Sequence, residues 1–90
     1  MLTVKRFTAT WCGPCKQLAP VFSELQNEMT NEPSPVVFQT IDVDENRDAA
    51  VAASVSSVPT VIFEKDGEPI YRFSGVLPKS VIAGQIRKFL

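Results

Sequence analysis

The stretch Trp11-Cys12-Gly13-Pro14-Cys15 joins a predicted N-terminal strand to a predicted helix, and the rest of the chain is arranged around it. It contains the only two cysteines and the only tryptophan of the 90 residues. Two thiols this close in sequence can form a disulfide, but so small a ring stabilises a fold by only about 2 kcal/mol, against about 3 kcal/mol for a fifteen-residue loop. A purely structural disulfide therefore explains the pair poorly.

The placement of the two cysteines points to chemistry instead. If a helix begins just after Cys12, its unpaired N–H groups and the positive end of its dipole favour the thiolate of that residue. Cys-X-X-Cys motifs placed in this way have cysteine pKa values of about 3.5–7.5, compared with about 8.5 for a free cysteine. Gly13 and Pro14 form the spacer, and Pro14 suits a first helical turn because its missing N–H would have no partner there. Cys15, one turn further, can then reach Cys12.

The residues alone leave two other uses of the cysteines open, a zinc half-site and a pair of unrelated core thiols. A closed zinc site needs about four ligands, usually Cys and His. This chain has two Cys and no His, so only a dimer could pool enough ligands. A Cys-X-X-Cys motif beside a strand–helix unit favours a dithiol redox centre. We therefore predict no metal site.

Length and composition restrict the possible functions. The chain of 90 residues is expected to form a single domain over 1–90. A net charge of -1 provides no field for nucleic acid, and no apolar run has the length of a membrane span. The N-terminus lacks the apolar run of a signal peptide. We accordingly expect a cytoplasmic protein, a setting in which disulfides are more often catalytic than structural.

The first half of the chain predicts the order β-α-β-α. Lys5 and Arg6 are adjacent in the first strand, so one of them must face inward or toward a cleft. Pro20 lies within the apolar periodicity of the first helix and should kink it. The third segment is a mostly apolar run, as in a buried strand between parallel neighbours, and Asp44 or Asn46 can cap the helix that follows. The predicted bounds are a strand over 2–8, a helix from 13 or 14 to about 29, a strand over 36–43 and a helix over about 47–54.

The second half predicts a hairpin followed by a helix. Lys65-Asp66-Gly67 is typical of a tight turn between two strands. Pro69 places the second of these strands at a sheet edge, and Pro78 can occupy the first position of the terminal helix. The predicted bounds are strands over 60–64 and 70–73 and a helix from 78 to about 90, with Ile82, Ile86 and Phe89 as its buried stripe.

These segments resemble the thioredoxin family over essentially the whole chain. The resemblance is carried by Trp11–Cys15, Val58-Pro59-Thr60, Lys65-Asp66-Gly67 and Ser74-Gly75, in this order and spacing. It implies an α/β, thioredoxin-like fold with a four-stranded mixed sheet, the order βαβ-α-ββα and helices on both faces. The family's usual first strand and first helix are absent, so the chain is similar in size to a glutaredoxin.

The resemblance implies a protein-disulfide reductase that works through Cys12 and Cys15. Cys12 is expected to be the exposed nucleophile, and Cys15 the shielded cysteine that resolves the mixed disulfide. No cofactor is expected, so electrons must come from a thioredoxin reductase or a small thiol, and the partners are protein disulfides. The alternatives are a disulfide oxidase or isomerase, a structural or binding subunit whose thiols are dispensable, and an electron donor to one dedicated enzyme.

The resemblance also implies a substrate surface beside the cysteines. Pro59 is expected to be cis and to lie next to the Cys12–Cys15 pair. In the family the backbone before this proline, here Val58, pairs with an extended substrate segment, and the residues matching Trp11 and Gly75 line the same shallow apolar surface.

Two departures from the family affect these expectations. Arg6 occupies the place of a buried aspartate and Thr40 that of its lysine partner, so the family's carboxylate proton relay does not carry over. Arg6 should instead favour a thiolate, with Asp42 as its candidate counter-ion. The absent first strand should leave the segment Val36–Val43 as an open edge, which invites pairing with another chain or needs cover. We expect a monomer covered by the Asn31–Pro35 loop, or a weak dimer.

Overall fold

The computed structural model describes all residues, 1–90, and places them in four strands, three α-helices and one short 3-10 helix. The order matches the predicted βαβ-α-ββα. The bounds are β1 Leu2–Thr8, α1 Gly13–Glu28, a 3-10 turn at Met29–Asn31, β2 Val36–Asp42, α2 Arg47–Ala52, β3 Thr60–Lys65, β4 Glu68–Ser74 and α3 Lys79–Lys88. None of the helices combines the length and apolarity needed to span a bilayer.

The four strands form one mixed sheet in the order β2-β1-β3-β4. β1 is parallel to β2 and antiparallel to β3. β3 and β4 form the predicted hairpin, whose turn residues Asp66 and Gly67 both have positive φ, +54° and +87°. This topology places the carboxyl ends of β1 and β2 at the same end of the sheet, where the cysteine motif begins.

The two faces of the sheet are covered by different helices, as predicted. Helices α1 and α3 share the larger core, in which Leu18 and Ile82 pack on Val4 and Phe63 of the sheet. Helix α2 contributes Ala50 to a smaller cluster on the opposite face, with Phe7 and Ile62. Helix α1 therefore lies across the sheet with its first turn at the end of β1, and this fixes the position of the cysteines.

The prediction of a buried, doubly flanked strand for residues 36–43 is wrong. β2 pairs with β1 alone and stands at the end of the sheet order. Its residues are half-buried or exposed, because helices cover its faces but no strand covers its outer side. The edge position implied by the family resemblance is confirmed.

Several element bounds also differ from the prediction. Helix α2 ends at Ala52, earlier than expected, and its cap residue Asn46 makes no side-chain capping bond. Pro78 is the N-cap of α3 and not its first residue, and the helix ends at Lys88. β4 begins at Glu68, so that Pro69 pairs with Glu64 at a register irregularity. Proline is tolerated there because β4 is an edge strand.

Candidate active site

The cysteine motif sits at the junction of β1 and α1. Cys12 is the N-cap of α1, with φ −91° and ψ 113°, and Gly13 and Pro14 form the first helical turn. The backbone N–H of Cys15 donates a hydrogen bond to Cys12 Sγ at 3.2 Å. The sulfur thus occupies the position that a capping oxygen has in most helices. The predicted helix start just after Cys12 is confirmed.

Cys12 and Cys15 are joined by a disulfide, with their Cα atoms 5.3 Å apart. Both residues are largely buried, at 4% and 2% exposure, in an apolar cluster with Ala9 that Val43 and Val58 flank. The expectation that Cys12 is exposed and only Cys15 is shielded is therefore wrong for the oxidised pair. What distinguishes the two sulfurs is their contacts rather than their exposure.

The Val58–Pro59 peptide bond is cis, as the family resemblance implies. The carbonyl oxygen of Val58 lies 3.6 Å from Cys12 Sγ, so this loop adjoins the first cysteine. The N–H of Gly75 donates to the Pro59 carbonyl at 3.0 Å, and Gly75 has φ +89°. A residue with this φ is strained unless it is glycine, so the return of β4 past Pro59 requires glycine at position 75.

A buried hydroxyl attaches the cis-proline loop to the hairpin. Thr60, at 1% exposure, donates from Oγ1 to the Ser57 carbonyl at 2.7 Å. The same oxygen is 3.1 Å from Ser74 Oγ on β4. Buried hydroxyls satisfied in this way restrict the chain to one conformation, so the loop that faces Cys12 is held from both sides.

Trp11 lies on the surface next to the disulfide. The residue is 69% exposed, and its indole N–H donates to Asp44 Oδ2 at 2.8 Å. Together with Val43, Val55 and Val58 it lines a shallow cavity of about 140 Å³. The exposed ring and this cavity form one continuous apolar surface beside Cys12.

Lys5 and Arg6 point to opposite faces of β1, as their adjacency requires. Lys5 Nζ is 2.9 Å from Glu64 Oε2 in an ion pair. Arg6 has no carboxylate partner: Nη2 donates to Thr40 Oγ1 at 3.2 Å, and the guanidinium lies 5.6 Å from the centre of the Phe22 ring. Its Nε is buried without a hydrogen-bond partner. Desolvation by this burial lowers the pKa of Arg6.

The prediction that Asp42 is the counter-ion of Arg6 is wrong. Asp42 Oδ1 accepts the backbone N–H groups of Asp44, at 2.8 Å, and Glu45, at 3.3 Å. The carboxylate is thus used to form the turn after β2, and it makes no ion pair with the guanidinium. Arg6 and Asp42 do line one cavity of about 410 Å³, which Cys15 and Lys16 also border. Arg6 and Cys15 therefore face a common space.

Asp44 is the contact that sequence reasoning did not assign to the site. It was predicted only as a helix cap, whereas its side chain holds the Trp11 indole. Asp44 follows β2, and the cysteine motif follows β1. Because the carboxyl ends of neighbouring parallel strands lie side by side, this placement could have predicted the contact. No group of three or more His, Cys, Asp or Glu side chains is arranged to hold a metal ion.

Comparison with known proteins agrees with this geometry. The family model for thioredoxin matches residues 1–88. The chain is 44% identical to a thioredoxin of Staphylococcus saprophyticus and 43% identical to one of Bacillus subtilis, in each case over 84 residues, 93% of this chain and 78% of the relative. A thioredoxin of Fasciola hepatica matches its fold with a TM-score of 0.85 at 39% identity, covering 97% of this chain and 79% of that one.

A mixed sheet with a Cys-X-X-Cys disulfide at a helix N-terminus, facing a cis-proline, defines the class of dithiol–disulfide oxidoreductases. Within that class the chain belongs to the thioredoxin family. It is a protein-disulfide reductase, which donates electrons to target proteins as Cys12 and Cys15 pass from dithiol to disulfide.

Proposed function

We propose that Cys12 is the attacking thiolate of this cycle and Cys15 the resolving one. The observation that carries the assignment is the hydrogen bond from the Cys15 N–H to Cys12 Sγ at the helix N-cap. A backbone donor and the positive end of the helix dipole both stabilise negative charge on that sulfur. Cys15 lies inside the first turn and borders the Arg6 cavity instead.

The cycle balances without any further redox group. The Cys12 thiolate attacks one sulfur of a substrate disulfide, forming a mixed disulfide and releasing the other substrate sulfur as a thiolate. The Cys15 thiolate then attacks Cys12 Sγ, which forms the Cys12–Cys15 disulfide and releases the second substrate thiolate. Two electrons pass from the protein to the substrate, and solvent protons neutralise the released thiolates according to their pKa values.

The substrate-binding surface in this proposal consists of Trp11, Val58, Pro59 and Gly75. The exposed indole ring and the cavity beside it can bury apolar side chains next to the target disulfide. The cis bond at Pro59 and the Gly75 turn shape the backbone next to Cys12, where Val58 can pair with an extended segment. Gly13 and Pro14 support the motif by forming the first turn of α1.

Arg6 supports the second half of the cycle. Its guanidinium has no carboxylate partner and borders the same cavity as Cys15. A cation in a partly desolvated site favours a nearby thiolate over a thiol. Arg6 thus favours deprotonation of Cys15 through its positive charge, in place of a side chain that would accept the proton.

The same charge favours a second candidate, a disulfide oxidase or isomerase. Stabilising a thiolate stabilises the reduced pair and raises its reduction potential. A potential near about −270 mV is typical of a reductase, whereas about −180 to −120 mV is typical of isomerases and oxidants. Equilibration in thiol–disulfide buffers, followed by Trp11 fluorescence, distinguishes the two; we expect the lower range.

We further propose the setting in which the protein works. It is a single domain over 1–90 in the cytoplasm that needs no cofactor and receives electrons from a thioredoxin reductase or a small thiol. It exists as a monomer or a weak dimer. The reducing conditions of the cytosol support this setting, because reductants there keep such cysteine pairs in the dithiol form.

Trapping experiments test the roles of the two cysteines. The Cys15→Ser variant should accumulate mixed disulfides with target proteins, because nothing resolves them, whereas Cys12→Ser should not. Equal trapping by both variants would contradict the assignment. The double serine variant tests the alternative of a binding subunit. A partner that this variant still captures recognises the protein surface and does not need the thiols.

A further inference from the structure

The chain between α2 and β3 forms one wall of the proposed substrate surface. Residues 54–58, here called the recognition loop, belong to no helix or strand. Four of its five residues line the cavity beside Trp11, and the Val58 carbonyl oxygen lies 3.6 Å from Cys12 Sγ. The conformation of the recognition loop therefore sets the shape of the surface that a protein substrate meets next to the disulfide.

The recognition loop begins with a left-handed turn at a residue that is not glycine. At the end of α2 the N–H of Ser54 donates to the Val51 carbonyl at 3.0 Å, and the N–H of Val55 donates to the Ala50 carbonyl at 2.9 Å. In this type of helix ending the turning residue has positive φ and is usually glycine. Here it is Ser54, with φ +56°. A side chain makes that conformation unfavourable, so it persists only where the surrounding structure holds it.

Arg72 of β4 holds this turn. Its Nη1 donates to the Ala53 carbonyl at 3.0 Å, and its Nη2 donates to the Ser54 carbonyl at 3.3 Å. Carbonyl groups at the end of a helix have no acceptor role within it, and a planar guanidinium fixes two neighbouring acceptors relative to each other. These two carbonyls belong to the peptide groups on either side of Ser54, whose relative orientation is its φ and ψ. The contact therefore acts directly on the left-handed turn.

The other end of the recognition loop is attached to the same strand. Thr60 Oγ1 donates to the Ser57 carbonyl at 2.7 Å and lies 3.1 Å from Ser74 Oγ. Arg72 and Ser74 are two residues apart on β4, so their side chains lie on the same face of the strand. The hairpin thus fixes the recognition loop at both ends, and loss of the Arg72 contacts would release only the end that follows α2.

We propose that Arg72 is a positioning residue for protein substrates, which acts through the recognition loop and not by contact with the cysteines. This inference rests on the substrate surface proposed above. Without the guanidinium, the turn at Ser54 adopts other conformations, and Val55 and Val58 no longer keep one position beside Trp11. A protein substrate that packs on this surface then binds less well. A small disulfide makes no such contact, so the loss is selective for protein disulfides.

Kinetics with two substrates test the proposal. For each variant, kcat/KM is measured with insulin as the protein disulfide and with bis(2-hydroxyethyl) disulfide as the small one. Arg72→Gln should lower the ratio of the two values at least threefold, through a higher KM for insulin. Arg87→Gln on α3, whose guanidinium pairs with Glu32, is the matched control and should leave the ratio unchanged. A general loss of folded protein lowers both values by one factor, so an unchanged ratio in Arg72→Gln would overturn the proposal.

A second substitution tests whether Arg72 acts through the turn. Glycine adopts positive φ without a steric penalty, so Arg72→Gln/Ser54→Gly should recover at least half of the lost ratio. Hydrogen exchange gives a measurement that needs no substrate. The Val55 amide should exchange at least ten times faster in Arg72→Gln than in the wild type, while the Phe63 amide of β3 keeps its rate. No recovery in the double variant, or an unchanged Val55 amide, would contradict the mechanism.

Trp11→Ala separates this inference from the proposed function on which it rests. A lower ratio for Trp11→Ala with an unchanged ratio for Arg72→Gln would refute the role of Arg72 and leave the substrate surface intact. An unchanged ratio for both variants would refute the substrate surface as well. The roles of Cys12 and Cys15 are tested separately by trapping, and none of these outcomes affects them.

Discussion

Arg6 is the residue whose environment differs most from what its type would suggest. Arg6 is half-buried, and its guanidinium contacts a hydroxyl and an aromatic ring but no carboxylate. The carboxylate that could have paired with it, Asp42, forms the turn after β2 instead. Arg6 thus makes no ion pair, and it borders the cavity that Cys15 also lines.

Replacing Arg6 by Gln should raise the pKa of the Cys15 thiol, because the cation that favours its thiolate is removed. We also expect a lower reduction potential, because the dithiol form loses that stabilisation. Thiol alkylation as a function of pH measures the first quantity. Lys5→Gln on the opposite face of the same strand, which loses an ion pair with Glu64, is the control and should change neither; unchanged thiol pKa values in the Arg6 variant would refute the role.

Asp44 should matter for substrates through Trp11. Asp44→Ala removes the acceptor of the indole N–H and lets the exposed ring leave the substrate surface. We expect kcat/KM for a protein disulfide to fall about two- to tenfold, the range of one exposed charge-assisted bond. Asp48→Ala, an acidic residue in the first turn of α2, is the control. A wild-type kcat/KM in the Asp44 variant would show that the indole needs no anchor.

At the level of single elements, glycine stabilises the β3–β4 hairpin turn but destabilises helix α3. Gly67 sits in the β3–β4 turn with φ +87°, and two-residue turns with positive φ at both positions match the twist of paired strands. Gly84 lies within α3 and has open space around the position of a Cβ atom. The same residue type is thus required in one element and costs stability in the other.

Gly67→Ala should destabilise the fold by about 1 kcal/mol, because the left-handed conformation is unfavourable for a residue with a Cβ atom. Gly84→Ala should stabilise it by about 0.5–1 kcal/mol, since alanine loses less backbone entropy in a helix. Urea unfolding of both variants measures the two changes. Shifts in the same direction would mean that backbone conformation does not determine these differences.

At the scale of the molecule, one core on the α1 and α3 face stabilises both the fold and the site. Leu18 is fully buried in it, one turn beyond Cys15 on α1. The smaller cluster under α2 contains only three buried residues. The orientation of α1 is therefore set by the packing of its buried face, which includes Leu18, against the sheet.

Leu18→Ala should lower the free energy of unfolding by about 2–5 kcal/mol, through lost burial and the cavity left behind. Val51→Ala on the surface of α2, where the residue is 77% exposed, should change it by less than about 0.5 kcal/mol. Denaturant unfolding monitored by circular dichroism measures both. A small effect at Leu18 would indicate that α1 is not held by this core.

Local patterns predicted much of the fold and the site. The helix start at Cys12 follows from residue types at the motif, and the hairpin follows from Asp66-Gly67, because both depend on neighbouring residues only. The position of β2 was mispredicted from its composition, since an apolar run does not reveal how many strands flank it. The cis bond at Pro59 required the family resemblance, as no local pattern distinguishes a cis from a trans proline reliably.

The dithiol motif, its place at the junction of a strand and a helix, and the order of the elements follow from local residue patterns. Two features emerge only from the tertiary structure: Asp44 holds the Trp11 indole, and Arg6 has no carboxylate partner. The physical reason is sequence separation. Those contacts join residues on different strands and loops, so they depend on strand order and register, which cooperative packing of the whole chain sets.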